Sequence, residues 1–410
     1  MTFMPVDNRG NILALADQCV MCGLCLPQCP TYLLDAQEAE SPRGRIAMAA
    51  ALAKGTVSAT PALRLHLDHC LGCMSCEKVC PAKVEYGELL VETRALLGPS
   101  QERPDTLIGV LKRPALYRGL RAVALIGTVR RGLARMGGWL PARSPWRVAL
   151  GMLPRRNVVR GGSEPFASQG SRPSALLQEQ APARGHVALF PGCVASVEDA
   201  AAQVAAQRLL VAAGFTVSAL PAFCCGAMDA HGGIAAGAET SAEAVRRAYV
   251  ASGATTLVTA TPGCLSTLRR ALPGGVAQDV ISLLARHADD LTFRPLTERV
   301  ALHIPCTQTN IARSDADLRR LLARISGLDV ATLPAQPTCC GAAGTHMLEF
   351  PERAATLRDM KLRQVTALAT SRLLSSNVGC RLHLAAGMTP ETAIPDLHPL
   401  ILLAEQLESP

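Results

Sequence analysis

Aromatic residues make up only 3% of this 410-residue chain, with two tryptophans among them, and charged residues make up 18%. So few aromatics leave little to stack on bases, and no recognition fold accompanies the positive charge, so nucleic acid is not an expected partner. No G-x-G-x-x-G loop, Walker motif or H-E-x-x-H helix occurs, so dinucleotide, nucleotide-phosphate and zinc-protease chemistry are not expected on this chain. No basic segment followed by an apolar run precedes Cys19, which argues against export to an oxidising compartment. A clean membrane span is also missing. Segments 209–228, 248–268 and 330–348 are uncharged for about the right length, but glycine and proline interrupt each one (Gly214 and Pro221; Gly253 and Pro262; Pro334 and Pro337). They read as buried strands that end in cysteine-bearing turns.

Cysteine is abundant. Sixteen are present, and in a chain expected to stay in a reducing compartment such thiols bind metal. Cys19, Cys22, Cys25 and Cys29 followed by Pro30 form C-x-x-C-x-x-C-x-x-x-C-P, and Cys70, Cys73, Cys76 and Cys80 followed by Pro81 repeat it. Bacterial two-cluster ferredoxins carry this run, and in them the fourth cysteine ligates the other cluster. The expected ligand sets are therefore Cys19, Cys22, Cys25 and Cys80 for one [4Fe-4S] cluster, and Cys70, Cys73, Cys76 and Cys29 for the second. A pair of zinc ribbons is the alternative, since C-x-x-C pairs also suit tetrahedral zinc. Between the motifs, Ser41-Pro42-Arg43-Gly44-Arg45 reads either as a capped helix start with solvated arginines or as positive charge near a cluster or flavin.

Charge is concentrated in one stretch. Residues 103–160 hold thirteen Arg or Lys against a single acid, Asp105, while the whole chain is only +8, so the remainder is slightly acidic. This cysteine-free stretch contains both Trp139 and Trp146, with Leu120, Val123, Ala124, Ile126 and Val129 among its arginines. Two readings stand. One is a basic amphipathic segment on an anionic membrane face, with Arg130, Arg131 and Arg135 as contacts; the other is a helical connector packed between domains. A Ser/Gly/Pro-rich linker, Gly161 to Pro182, follows it.

The C-terminal half repeats itself. Cys193, Cys224, Cys225 and Cys264 are matched by Cys306, Cys339, Cys340 and Cys380 at offsets of 113, 115, 115 and 116 residues. Strand-like runs at 187–190 and 300–304 lead into helix-like segments 198–213 and 315–326, then into apolar runs 215–220 and 328–333. This alternation predicts two α/β units with cysteines at strand ends, where open sheets place ligands. The expected architecture is multidomain, α+β and α/β. It comprises a helical two-cluster ferredoxin-like domain (1–100), a basic helical connector and linker (101–183), and two cysteine-rich units (184–296 and 297–410) related by a pseudo-twofold axis. In each Cys-Cys-Gly turn both thiols can reach one centre, and the glycine allows close backbone approach. A third and a fourth iron-sulfur centre, zinc, and a redox-active disulfide all remain open there.

These features carry a resemblance. The doubled Cys-Cys-Gly module resembles that of heterodisulfide reductase-type proteins, and the whole arrangement resembles the glycolate oxidase iron-sulfur subunit family. Further resemblance lies in Cys29-Pro30-Thr31-Tyr32, Pro42-Arg43-Gly44-Arg45, the Cys340–Thr345 turn, Asn377-Val378-Gly379-Cys380 and His383-Leu384-Ala385. It implies an electron-transfer subunit of an oxidoreductase. A separate FAD-binding subunit would oxidise glycolate to glyoxylate, and electrons would pass through this chain to a quinone or another membrane acceptor. The implied location is cytoplasmic, peripheral on the inner face of a bacterial membrane. Related subunits of lactate and glycerol-3-phosphate dehydrogenases share these parts, as do heterodisulfide reductase-like thiol/disulfide reductases. Thr267 and His383 stand where the reductase module has its last cysteine, which counts against a noncubane cluster and against disulfide reduction. His231 and His346, each six residues beyond its Cys-Cys pair, read as turn histidines or as a proton relay near a quinone. His383 reads as a structural histidine or a metal ligand.

Overall fold

The computed structural model describes residues 8–153, apart from 127, 128, 130, 131, 134, 135, 138 and 142, and residues 184–408 apart from 390. The linker Gly161 to Pro182 lies outside the described residues, as do Arg130, Arg131 and Arg135.

The N-terminal part is helical. Its main helices are Arg9–Ala16, Pro30–Asp35, Pro42–Lys54, Pro61–Asp68 and Tyr86–Leu97. Proline opens three of them, where its missing N–H costs nothing and its fixed φ suits the first turn. Ser41 caps Pro42–Lys54 by accepting from the Gly44 N–H at 2.9 Å, and Gly55 closes the same helix in the left-handed region at φ +71°. Ile12, Leu15, Ile46, Ala49, Leu89 and Leu90 fill the space between these helices. The two cysteine loops pack against that small core.

The C-terminal half contains two four-stranded parallel sheets. The first holds β1 (His186–Leu189), β2 (Thr216–Ala219), β3 (Thr256–Thr259) and β4 (Ala277–Asp279), in the order β2-β1-β3-β4. The second holds β5 (Glu298–Leu302), β6 (Leu328–Thr332), β7 (Arg372–Leu374) and β8 (Asp396–Leu397), in the order β6-β5-β7-β8. The uncharged runs singled out in the sequence fall on these sheets. Val187, Ala188 and Leu189 are buried on both faces, as are Val300, Ala301 and Leu302, which explains why they alternate with nothing polar. Strand order reverses between β1 and β3, and again between β5 and β7. Ligand crevices form outside the carboxyl ends of strands at such switch points.

The two units exchange helices. Helix Pro399–Gln406, at the end of the second unit, packs against Ala200–Ala212 of the first, while Val280–Arg286 of the first packs against Asp315–Leu322 of the second. Leu209, Leu210, Leu284, Leu318, Leu321, Leu400 and Leu403 therefore share one buried core. The main chains join as well: the Arg294 N–H donates to the Gln406 carbonyl at 2.7 Å.

Candidate metal centres

The first two groups of thiols come from the helical part. Cys19, Cys22 and Cys25 line a small cavity together with Cys76 and Cys80. Cys70, Cys73 and Cys76 line a second with Cys29. The fourth cysteine of each motif thus stands with the first three of the other. Both loops turn through left-handed residues, Met21 and Gly23 in one and Gly72 and Met74 in the other, and this winding turns successive side chains inward. Burial and neighbouring thiols push Cys73 up to about 12 and also raise Cys76 well above the ordinary thiol value, so thiolates here need a cation to balance them. Among the described residues, no three of these eight thiols have sulfurs all within 4.8 Å of one another. A single zinc ion with 2.3 Å bonds would hold its sulfurs about 3.8 Å apart. The wider spread fits a polynuclear iron-sulfur group, with thiolates converging on different irons.

Behind the second cavity lies a buried ionic network. Arg45 is almost wholly enclosed, and its Nη2 donates to Glu40 Oε2 at 2.6 Å. Its Nη1 donates to Thr31 Oγ1 at 2.9 Å and stands 4.0 Å from Cys29 Sγ. Glu40 Oε1 accepts from His66 Nδ1 at 2.6 Å and His69 Nδ1 at 2.8 Å. Two histidines and a carboxylate this close invite comparison with a metal site, but Arg45 already supplies the balancing cation. The sequence offered two readings of Ser41–Arg45, and each holds in part. Ser41 does cap a helix, and Arg43 pairs with Glu38; Arg45, however, is not solvated and stands beside a cysteine.

The remaining eight thiols sit at strand ends, as the repeat predicts. Cys193 and Cys264 follow β1 and β3, and the Cys224-Cys225 pair follows β2; Cys306, Cys380 and Cys339-Cys340 occupy the matching positions after β5, β7 and β6. Within each unit the sulfurs form a chain of contacts, Cys193–Cys224–Cys225–Cys264 and Cys306–Cys339–Cys340–Cys380. Gly226 and Gly341 adopt φ +88° and +90°, and a Cβ at Gly341 would come within 2.5 Å of the Ala354 carbonyl. Only glycine fits this turn, and its N–H donates back to the first sulfur of the pair, at 3.4 Å in each unit.

The first quartet and, of the second, Cys306, Cys339 and Cys380 face one apolar cavity of about 430 Å³, which Cys70 of the helical part also borders. The helical domain is docked onto the units beside it: Arg94 bonds the carbonyls of Cys70 and His231, and Asn310 Nδ2 bonds the Cys73 carbonyl at 2.6 Å. The basic segment supplies the roof. Helices Asp105–Leu111, Pro114–Ala124 and Pro145–Gly151 contribute Leu107, Leu111, Leu120 and Trp146. Arg103 and Lys112 anchor it on the buried Asp229, and Arg121 and Tyr117 anchor it on Glu198. Yet Pro114–Ala124 buries no residue, and Leu116 and Val123, which do not line the cavity, stay about half exposed. The segment therefore packs against the units and also presents an apolar, basic outer surface.

His231 and His346 both line the cavity. Burial lowers His231 to about 4 and His346 to about 3, so both are neutral imidazoles near pH 7. Among the described residues, neither ring nitrogen of His346 has a hydrogen-bond partner. His383 is buried with Nε2 3.0 Å from the Ala354 carbonyl, and Thr267 Oγ1 donates to the Cys264 carbonyl at 2.9 Å. Sequence reasoning missed His303, whose ring lies with the Cys340 and Cys380 sulfurs within 4.8 Å of one another, and Lys361, whose buried ammonium faces the second quartet. Aligning the two repeats sets them opposite Phe190 and the buried Val245 of the first unit, which marks both as departures between the units without giving either a role.

The chain is similar to known proteins over nearly its whole length. A 4Fe-4S dicluster domain matches residues 15–84, and a cysteine-rich domain matches residues 187–269 and again 300–385. The glycolate oxidase iron-sulfur subunit of Escherichia coli (strain K12) is 30% identical over 95% of this chain and 96% of its own length. A probable glycolate oxidase iron-sulfur subunit of Bacillus subtilis (strain 168) is 29% identical over 94% of this chain and 90% of its own. One of the subunits of a fumarate reductase (CoM/CoB) from Methanothermobacter marburgensis is 28% identical over half of this chain and 42% of its own.

Proposed function

The chain belongs to the glycolate oxidase iron-sulfur subunit family, and from that premise we propose that it carries electrons from a flavoprotein that oxidises glycolate to a quinone bound in the cavity between the cysteine-rich units. The observation that carries this reading is the position of Cys70. It lines both the second thiol cavity and the large apolar one, so a donor on the first would stand at the wall of the second.

Cys19, Cys22, Cys25 and Cys80 would hold one [4Fe-4S] cluster, and Cys70, Cys73, Cys76 and Cys29 another. Such clusters accept and release electrons one at a time. The protein's part is to hold them near each other, keep water from them, and set the surrounding charge, which Arg45 does beside Cys29. FAD and the hydride chemistry belong to the partner subunit. At the far end, Leu107, Leu111, Leu120 and Trp146 offer an apolar wall for a lipophilic ring, while the neutral imidazoles of His231 and His346 can bond its oxygens. The exposed apolar and basic face of Pro114–Ala124 suits contact with an anionic membrane from which such a molecule would arrive. The protein would then lie on the cytoplasmic face without crossing the bilayer; among the described residues, no helix is long and apolar enough to cross one.

The test is anaerobic reconstitution with the FAD-binding partner. Glycolate should bleach the visible iron-sulfur absorption, and a short-chain quinone should restore it. Bleaching by D-lactate or glycerol 3-phosphate but not glycolate would reassign the substrate, and no bleaching by any of the three would sink the relay. In a Trp139→Phe chain, saturable quenching of Trp146 fluorescence by the quinone is expected, and its absence would remove the cavity as the acceptor site.

A further inference from the structure

We propose that Arg94, Arg45, Tyr86 and Asn310 raise the reduction potential of the centre on Cys70, Cys73, Cys76 and Cys29 above that of the centre on Cys19, Cys22, Cys25 and Cys80. One electron delivered by the flavoprotein to the Cys19 centre would then leave that centre oxidised again and reduce the Cys70 centre, beside the large cavity, with no proton or further reactant involved. The inference rests on the two-cluster relay and adds the order of its two potentials.

Arg94 carries the argument furthest. It is buried, and its guanidinium donates to the main-chain carbonyls of Leu67, Asp68, Cys70 and His231 at 2.9, 3.1, 2.8 and 3.0 Å. Among the described residues no carboxylate pairs with it, and the carboxylate of Asp68 pairs with Arg64 instead, at 3.5 Å. A buried charge without a counter-ion is costly. An iron-sulfur cubane on four thiolates is a net anion, and on Cys70 it would supply the missing negative charge. Reduction makes it more negative still, so a fixed cation beside it favours the reduced form. Arg45 acts from the other side. It holds Glu40 on Nη2 and brings Nη1 to 4.0 Å from Cys29 Sγ, so the positive end of that pair faces the thiols.

Hydrogen bonds to sulfur work in the same direction. The buried Tyr86 has its hydroxyl 3.4 Å from Cys70 Sγ, and a ligating thiolate has no proton to give, so the phenol donates. Ser75 donates its N–H and its hydroxyl to Cys73. Asn310, from the second cysteine-rich unit, donates Nδ2 to Ser75 Oγ at 3.1 Å, which leaves the hydroxyl proton for the sulfur. Asn310 is thus a positioning residue, and docking of the helical domain on the units completes the set of donors. The Cys19 centre is built differently. Cys22 is exposed, Cys25 accepts from main-chain N–H groups, and Cys19 has beside it at 3.8 Å the Met21 thioether, which carries no proton. Arg43 on that side is partly exposed and balanced by Glu38 at 2.6 Å. Solvent reaching Cys22 favours reduction there too, but water and salt screen Arg43, while the buried charge of Arg94 acts with little screening.

A redox titration of the anaerobically purified full chain, followed by electron paramagnetic resonance, tests this order. Two reducible signals are expected, and the one that appears at the higher potential is the one that Cys29→Ser alters. Tyr86→Phe and Asn310→Ala should each move that signal alone to lower potential. Arg94→Gln should move it further, and Arg94→Lys, which keeps the charge without the fork of donors, should move it less. Lost packing would not sort the two Arg94 variants by charge. If they fail to fold, Tyr86→Phe and Asn310→Ala decide. Finding the Cys29 signal at the lower potential, or unmoved by both Tyr86→Phe and Asn310→Ala, would overturn the proposal and leave the relay standing. Fewer than two reducible centres would overturn both.

Discussion

Arg45 holds its Nη2 2.6 Å from Glu40 Oε2 with both side chains almost wholly out of solvent. A buried pair is poor evidence of net stabilisation, because desolvating two charges costs about as much as their attraction returns, but removing one partner strands the other. Arg45→Met should therefore destabilise the chain by about 3–5 kcal/mol, leaving Glu40 with only its histidines and the more distant Arg353. Anaerobic denaturant titration of the loaded protein measures this. A loss under about 1 kcal/mol would mean that His66, His69 and Arg353 balance Glu40 unaided.

Glu40 also makes stability depend on pH. Burial works to raise its pKa, but hydrogen bonds from His69 and His66 and the charge of Arg45 outweigh burial and hold it at about 2, below the ordinary 4.5. A carboxyl whose folded pKa is depressed stabilises the fold fully above its unfolded value, and that contribution drains away as pH falls through the folded one. The window is thus from about 4.5 down to about 2, and the contribution is on the order of 3 kcal/mol. Denaturant midpoints for wild type and Glu40→Gln should differ most at pH 6 and converge as the pH is lowered towards 3. A constant gap would assign the difference to packing.

The two thiol cavities make a prediction about which centre each substitution harms. Cys80→Ser should perturb the centre served by Cys19, Cys22 and Cys25, although Cys80 belongs to the other motif. Cys29→Ser should perturb the one served by Cys70, Cys73 and Cys76. Electron paramagnetic resonance of the reduced variants separates these outcomes, since only the Cys29 centre has Arg45 at 4.0 Å. If Cys29→Leu or Cys29→Ser altered only the signal that Cys19→Ser also alters, each motif would be serving its own cluster.

Much of this was legible in the sequence, because thiol spacing and repeat offsets are set by short loops that carry their own geometry. Nearly equal offsets between Cys193 and Cys306, and between Cys264 and Cys380, placed β1, β2, β5 and β6 and the cysteine turns that follow them; β4, β7 and β8 were not placed. Contacts made at long sequence separation were not legible. His303 belongs to no spacing motif, and only its approach to Cys340 across the sheet gives it a role. Arg45 sits in a run that reads either as solvated or as charge near a cluster, because periodicity cannot tell a buried cation from an exposed one. The exchange of Pro399–Gln406 and Val280–Arg286 between units was hidden for a related reason. An apolar helix face announces that it will be covered, not by which neighbour.

That exchange makes the two cysteine-rich units one folding unit. Leu209 on Ala200–Ala212 is fully buried in the core to which Leu400 and Leu403 of the second unit belong. Cutting it back in Leu209→Ala removes packing from both units together, and a cavity there should cost about 2–5 kcal/mol. Because Leu318 and Leu321 enter the same core from the other exchange, neither unit can unfold while leaving its partner covered. Unfolding followed by hydrogen exchange at β1 and at β5 should therefore show both strands losing protection by the same amount in Leu209→Ala. Loss confined to β1, with β5 still protected as in the wild type, would mean that the shared core does not couple the two sheets and that each unit is stable alone.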